Sequence, residues 1–215
     1  TIDKLAKEFE DAWNPSKKEK LEDKKPLSIF AGQEVDRLAV TIHTIRSTCN
    51  DLKLAWKGKL IFSPALQDAA ASLQNARVPP SWIAVSWPSS DVSMWVNDVK
   101  ARKAQLDVWA KTGRPGHFWL PGFFNPQGFL TGVRQEITRG KVAQSAGGPI
   151  WALDKVEARY DVQGKFYEEG VEQTVDTSDG SVLIYGLFLD GAAWQTGPMK
   201  KLVDAPLGEG AQKMP

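Results

Sequence analysis

Cysteine, histidine, net charge and long apolar runs are all scarce in this protein, and each scarcity narrows what it is able to do. Cys49 is the only cysteine, so no intrachain disulfide forms and a cysteine-based metal cluster is excluded. With only two histidines, His43 and His117, a zinc site would need unusual carboxylate help, and no metal is expected. Lys and Arg number 27 against 26 Asp and Glu, a net charge of 27 − 26 = +1. No global field therefore gathers nucleic acid or an anionic membrane, and neither is an expected partner. No apolar run approaches the ~20 residues that cross a bilayer, and the amino end, with Asp3, Lys4, Lys7 and Glu8, has no signal-peptide core. A cytoplasmic location is the expectation, and a start at Thr1 fits an excised fragment.

Reactive constellations are equally thin. Gly58-Lys59, Gly140-Lys141 and Gly164-Lys165 are preceded by Lys53, Gln135 and Arg159 where a phosphate-cradling loop needs glycine. Gly208-Glu209-Gly210 meets Lys213 where a dinucleotide fingerprint needs a small residue. Cys49 falls between Ile45 and Leu52 on an apolar stripe, where a thiol is inert. The carboxylates Glu168-Glu169, Asp176 and Asp179 sit in turn-rich, wet surroundings that would not separate their pKa values. No catalytic, cofactor-binding or metal-binding residue is assigned.

What the sequence has is ordinary globular content, 42% hydrophobic and 25% charged, arranged first with helical and then with strand periodicity. Ile2, Leu5, Phe9, Ala12 and Trp13 predict a first helix, stopped by Asn14-Pro15. After Pro26, Val35, Leu38, Ile42, Ile45, Cys49, Leu52 and Trp56 alternate spacings of three and four, predicting a long helix to about Gly58 that needs an antiparallel partner in the same chain or a surface on a larger assembly. Ser63-Pro64 opens a short helix over Leu66, Ala69, Ala70 and Leu73. Pro79-Pro80 is a break. Asp91 caps a helix with Val92, Trp95, Val96, Val99, Leu106 and Trp109 on its apolar face, which Gly113 ends, and a last helix runs from Asn125-Pro126 to about Gly140.

Beyond Gly147-Gly148-Pro149 the period falls to two. Val156 to Val162, Val171 to Val175 and Val182 to Leu189 read as strands, with a turn at Thr177 to Gly180. Gly186 inside the last one signals a bulge, a barrel bend or a close backbone approach. Residues 140 to 200 hold five basic and nine acidic side chains, net −4, which disfavours phosphate binding there. The expected fold class is α+β, about five helices and then a small antiparallel sheet or incomplete β-barrel. Expected divisions are 1–25, an N-terminal helix and charged linker; 26–146, the helical part; and 147–215, the β part.

The densest aromatic stretch is His117 to Val133, which reads as strand, sharp turn and helix. Asn125 and Pro126 start the helix, Phe129, Leu130, Val133 and Ile137 share a face, and Gly128 and Gly132 leave a notch. Val78-Pro79-Pro80-Ser81-Trp82, Trp87-Pro88-Ser89, Trp95-Val96-Asn97-Asp98, Phe118 to Val133 and Ile184 to Trp194 follow in order. In that order they resemble the C-terminal region of dynein heavy chains, of the axonemal kind. Pro121 departs from the small polar residue usual before Gly122-Phe123-Phe124 and stiffens the turn.

The resemblance implies a non-catalytic structural and regulatory domain that packs on an AAA+ motor ring in a cilium or flagellum. It implies ATP and Mg only in that parent ring, ring modules and dynein subunits as partners, and microtubules reached only through the parent. It also implies a further strand past Met214-Pro215, so an unpaired sheet edge is expected. Structural or interface roles are expected for Trp82, Trp95, Trp119, Phe123, Phe124, Phe129, Gly186 and Trp194. Nine tryptophans keep two alternatives open, a stand-alone aromatic scaffold and a carbohydrate-binding module with indoles stacking on sugar rings.

Overall fold

Proline stands first in four of the five helices among the described residues, because its missing N–H would have no partner in the first turn anyway. The computed structural model describes Phe9 and residues 25–144, 182–186, 188–189, 192–194, 202–204 and 212–213. It divides into two compact units, Thr1–Arg114 and Pro115–Pro215. The predicted first helix, the strands at 156–162 and 171–175, and the boundary at 147 lie outside the described residues.

The first unit is built on α1 (Pro26–Trp56). Leu27, Phe30, Ala31, Val35, Leu38, Ile42, Ile45, Cys49 and Leu52 form its buried stripe. Trp56, expected to close that stripe, is instead 51% exposed. Ala55 is buried with Leu52 and Leu66, whereas Trp56, the last residue of the helix, packs edge-on against Phe62 in the segment that follows. Gly58 ends the helix at φ +69°. Its N–H bonds Ala55 and that of Lys59 bonds Leu54, at 3.0 and 2.9 Å, a paired closure that a left-handed glycine permits.

α2 (Pro64–Gln74) starts as the sequence predicts, with the Ser63 hydroxyl accepting from Leu66 N–H at 3.3 Å. The Pro79-Pro80 break turns out to carry α3 (Pro80–Ile83), a single helical turn. α4 (Val92–Thr112) opens with Asp91 Oδ1 accepting from Met94 N–H at 2.8 Å and ends at Gly113, φ +91°. α4 is the antiparallel partner of α1: Phe30 near the start of α1 meets Trp109 near the end of α4, with ring centroids 6.4 Å apart.

In the second unit β1 (His117–Trp119) leads through a 3-10 turn at Leu120–Gly122 into α5 (Pro126–Gln144), which continues past Gly140. Asn125 Oδ1 accepts from Gly128 N–H at 3.0 Å. The notch expected at Gly128 is filled by that same Asn125 side chain, which a Cβ there would strike. The expected single strand from Val182 to Leu189 is broken at Gly186 into β2 (Leu183–Tyr185) and β3 (Phe188–Leu189). β4 (Ala192–Trp194), β5 (Leu202–Asp204) and β6 (Gln212–Lys213) follow.

The expected antiparallel sheet or incomplete barrel is corrected by the pairing. β1 and β2 run parallel, with Phe118 opposite Ile184 and Trp119 opposite Tyr185. Parallel strands need a crossover of a dozen or more residues, and the connection containing α5 supplies one. β3 with β6 and β4 with β5 are separate two-stranded antiparallel ladders, so the described strands form three pairs and no continuous sheet.

Candidate functional site

Two aromatic assemblies, one in each unit, gather most of the residues singled out from sequence. In the first unit α3 and α4 bring Trp82 and Trp95 face to face, centroids 5.4 Å apart at 24°, both fully buried. Trp87, on the loop between them, packs on Trp95 at 5.6 Å. Trp82 Nε1 donates to Thr48 Oγ1 at 3.1 Å, and Thr41 Oγ1 donates to the Val85 carbonyl at 2.8 Å. These two bonds tie the tryptophan loop to the middle of α1, so the stack is fixed in position as well as in stacking geometry.

Arg102 completes the stack from α4, its guanidinium carbon 3.7 Å from the Trp87 ring centroid. It is 7% exposed, and Glu34 on α1 is 1% exposed. Burial pushes the Arg102 pKa down to about 10, held against further fall by the charges of Asp98 and Glu34. Glu34 also lies 3.9 Å from Arg37. A guanidinium held over an indole keeps a favourable electrostatic partner where water is excluded.

Neither Arg102 nor Glu34 is among the residues singled out from sequence. The signal is present for both. Trp95, Val99, Arg102, Leu106 and Trp109 keep spacings of three and four, so Arg102 occupies a core position of α4. Glu34 likewise sits inside the run from Leu27 to Leu38.

In the second unit Phe118, Phe123 and Phe129 form a buried triad, with centroids 6.2, 4.7 and 5.0 Å apart. Phe124 beside them is half-buried. Half-buried Trp119 is seated by glycines. A Cβ on Gly122 would meet its benzo edge, and one on Gly186 would lie 2.6 Å from Cδ1 and 2.8 Å from Nε1. Gly186 has φ +83°, a conformation side chains rarely adopt. What lies against Gly186 is the indole side chain of Trp119, where a close approach by backbone was among the expected readings. Trp194 lies in β4 opposite Leu202.

Titratable chemistry is sparse among the described residues. The Cys49 thiol is fully buried and its pKa is pushed up to about 11 by desolvation, offset in part by Lys53. A thiol so held stays protonated and unreactive. His43 is exposed on α1, and His117 packs at 6.2 Å on Tyr185 across the parallel strands. No helix of the described residues is long and apolar enough to cross a membrane. The arrangement is one of aromatic packing, with α3 and α4 joined at Trp82 and Trp95 in the first unit and Trp119 seated against Gly122 and Gly186 in the second.

That pattern has a family. Residues 1–215 match the family model of the C-terminal domain of the dynein heavy chain, and this protein belongs to that family. It is 40% identical over 180 residues to the human dynein axonemal heavy chain 8, covering 84% of this sequence and 4% of that protein. It is 36% identical over 165 residues to the dynein gamma chain of the flagellar outer arm of Chlamydomonas reinhardtii, covering 77% and 4%. Identity to the ciliary dynein beta chain of Heliocidaris crassispina is 34% over 198 residues, covering 91% and 4%. The 215 residues thus span about 4% of the length of these curated relatives.

Proposed function

We propose that this protein is a non-catalytic brace: the C-terminal part of an axonemal-type dynein heavy chain, packed on the AAA+ motor ring of the same polypeptide. There it biases how ring modules move during ATP turnover, and so modulates microtubule-based movement in a cilium or flagellum. ATP and Mg bind in the parent ring, and microtubules and other dynein subunits are reached through the parent. The observation that carries the reading is α1, 31 residues long and hence a rod of about 46 Å at 1.5 Å per residue. It keeps Ile29, Val40 and Leu54 exposed, and Trp82 and Arg102 pin it to α4 from the other side. A stiff rod with apolar side chains left outward suits contact with more than one neighbouring body, which is how a brace couples their motions.

The test has two arms. Calorimetric titration of ATP into the 215-residue protein is expected to show no saturable heat, and micromolar binding would overturn the non-catalytic assignment. In the parent heavy chain, removal of this domain is expected to change microtubule gliding velocity and the ATPase rate disproportionately. If both stay at their intact values, the brace reading fails.

A further inference from the structure

The most exposed apolar side chain of the described residues belongs to a built turn. Ile61 is 90% exposed in the hairpin between α1 and α2, with Leu60 at 41% and Trp56 at 51%. The paired hydrogen bonds at Gly58 fix the exit of the backbone from α1. Trp56 packs edge-on against Phe62, centroids 6.1 Å apart at 70°, closing the base of the turn. Beneath it Leu52, Ala55 and Leu66 form a buried cluster with Phe62, Ala70 and Leu73. Nothing about the turn requires Leu60 and Ile61 to point outward for folding, since the base is already sealed without them.

The charged residues of this stretch of sequence are all of one sign. From Lys53 to Ser63 the sequence has Lys53, Lys57 and Lys59 and no carboxylate. The nearest acids in sequence are Asp51, a turn back on α1, and Asp68, in the second turn of α2. Lys57 and Lys59 are exposed and flank the glycine that sets the turn.

We infer that the α1–α2 hairpin is a docking finger whose Leu60 and Ile61 enter an apolar socket rimmed by Asp or Glu on a protein surface. Lys57 and Lys59 read the rim. A protein socket fits better than lipid for two reasons. Ile61 is β-branched and stiff at χ1, which rewards a shaped cavity and gives nothing extra in hydrocarbon. The turn is also ordered before binding, so little conformational entropy is lost on docking. Complementary charge then sets approach and register, while the buried aliphatics set the lifetime of the contact.

The test rests on the brace reading only for its choice of polypeptide. In the parent heavy chain a benzophenone amino acid replaces Ile61, and the irradiated protein is peptide-mapped. The expected product is one cross-linked peptide bearing Asp or Glu beside apolar residues, with yield lowered at least about tenfold by Lys57→Glu with Lys59→Glu. Scattered or absent cross-links, or a yield indifferent to the charge reversal, would overturn the finger. So would sedimentation of the 215-residue protein with phosphatidylserine vesicles that Ile61→Asp abolishes, since that assigns the knob to a membrane. A defined acidic peptide outside the AAA+ modules keeps the finger and sinks the ring contact; a ring-bound domain with no cross-link at position 61 does the reverse. These side chains are exposed, so the thermal midpoints of Ile61→Asp and of the double lysine variant should stay near that of the unsubstituted protein.

Discussion

Trp82 and Trp119 show two ways of immobilising the same side chain. In the first unit Trp82 is held by what surrounds it: Trp95 on its face, Thr48 at its N–H, and the Trp87–Arg102 pair beyond. In the second unit Trp119 is held by what is missing, because Gly122 and Gly186 leave its edges room that any Cβ would fill. The first mode draws on dispersion and electrostatics and fails by cavity. The second draws on steric fit and fails by intrusion. The two modes therefore respond to different insults.

The largest test deletes the first mode. Trp82→Ala removes a fully buried indole, its stacking on Trp95 and the acceptor role of Thr48, and should cost about 3–5 kcal/mol in urea unfolding. Trp82→Phe retains the face and loses the N–H bond, so it should cost distinctly less. Equal losses would mean that the hydrogen bond, and not the stack, holds the loop.

Gly186→Ala attacks the second mode by adding one methyl group. The φ of +83° and the approach to Trp119 together should cost about 2–4 kcal/mol. The same change made in a Trp119→Ala background should cost only the backbone share, about 1–2 kcal/mol. If the cost is the same in both backgrounds, the indole is not what the glycine makes room for.

A smaller effect separates the units by pH, because the buried thiol belongs to the first. Cys49 titrates near 11 when folded against 9.0 ordinarily. Its folded pKa is raised, so its contribution is complete below pH 9 and lost as pH rises through 11. The loss should reach about 2 kcal/mol, read as the difference in pH slope between the unsubstituted protein and Cys49→Ala. Arg102 acts with the opposite sign, since burial lowers its folded pKa to about 10, below the ordinary arginine value, so stability gains as pH climbs above 10. Taking the difference against Cys49→Ala cancels that second effect. A slope that Cys49→Ala leaves unchanged would show the thiol to be hydrated in solution.

How much of this was legible follows from the range of each interaction. The starts at Ser63, Asp91 and Asn125 are local, each decided within three residues, and the structure forms all three bonds. The long helix was legible from its stripe, but the exposure of its last member was not, because Trp56 packs on Phe62 beyond the helix end, a contact that the repeat does not encode. The Trp82–Trp95 pairing was anticipated only as two separate interface residues; nothing in the spacing says that a loop folds one ring onto the other. Arg102 was concealed by its charge, since a residue-type reading places arginine on the surface while its position in the α4 spacing places it inside. The strand partners were least legible. Choosing β2 as the neighbour of β1 is a decision between segments more than sixty residues apart, and alternation along one strand carries no information about direction.

The smallest test reverses the sign and asks whether the first unit tolerates what the second cannot. α2 ends in a closure like that of α1, with Ala76 N–H bonding Leu73 and Arg77 N–H bonding Ser72, at 3.3 and 2.9 Å. The residue in the left-handed seat is Ala76, φ +55°, the only non-glycine with positive φ among the described residues. Its carbonyl also accepts from Val92 N–H at 3.0 Å, which binds the end of α2 to the start of α4 and holds the strained residue in place. A side chain in that conformation costs about 1–2 kcal/mol, and glycine gives back part of the gain through its looser unfolded state. Ala76→Gly should therefore stabilise the protein by about 0.5–1 kcal/mol, a small rise in the urea midpoint with an unchanged slope. Its sign is opposite to that of Gly186→Ala because the exchange is reversed: at both positive-φ positions glycine is the better residue. Ala76 is exposed, so if Ala76→Gly destabilises instead, the looser unfolded chain outweighs the relief of backbone strain, and the two positive-φ positions do not share a preference for glycine.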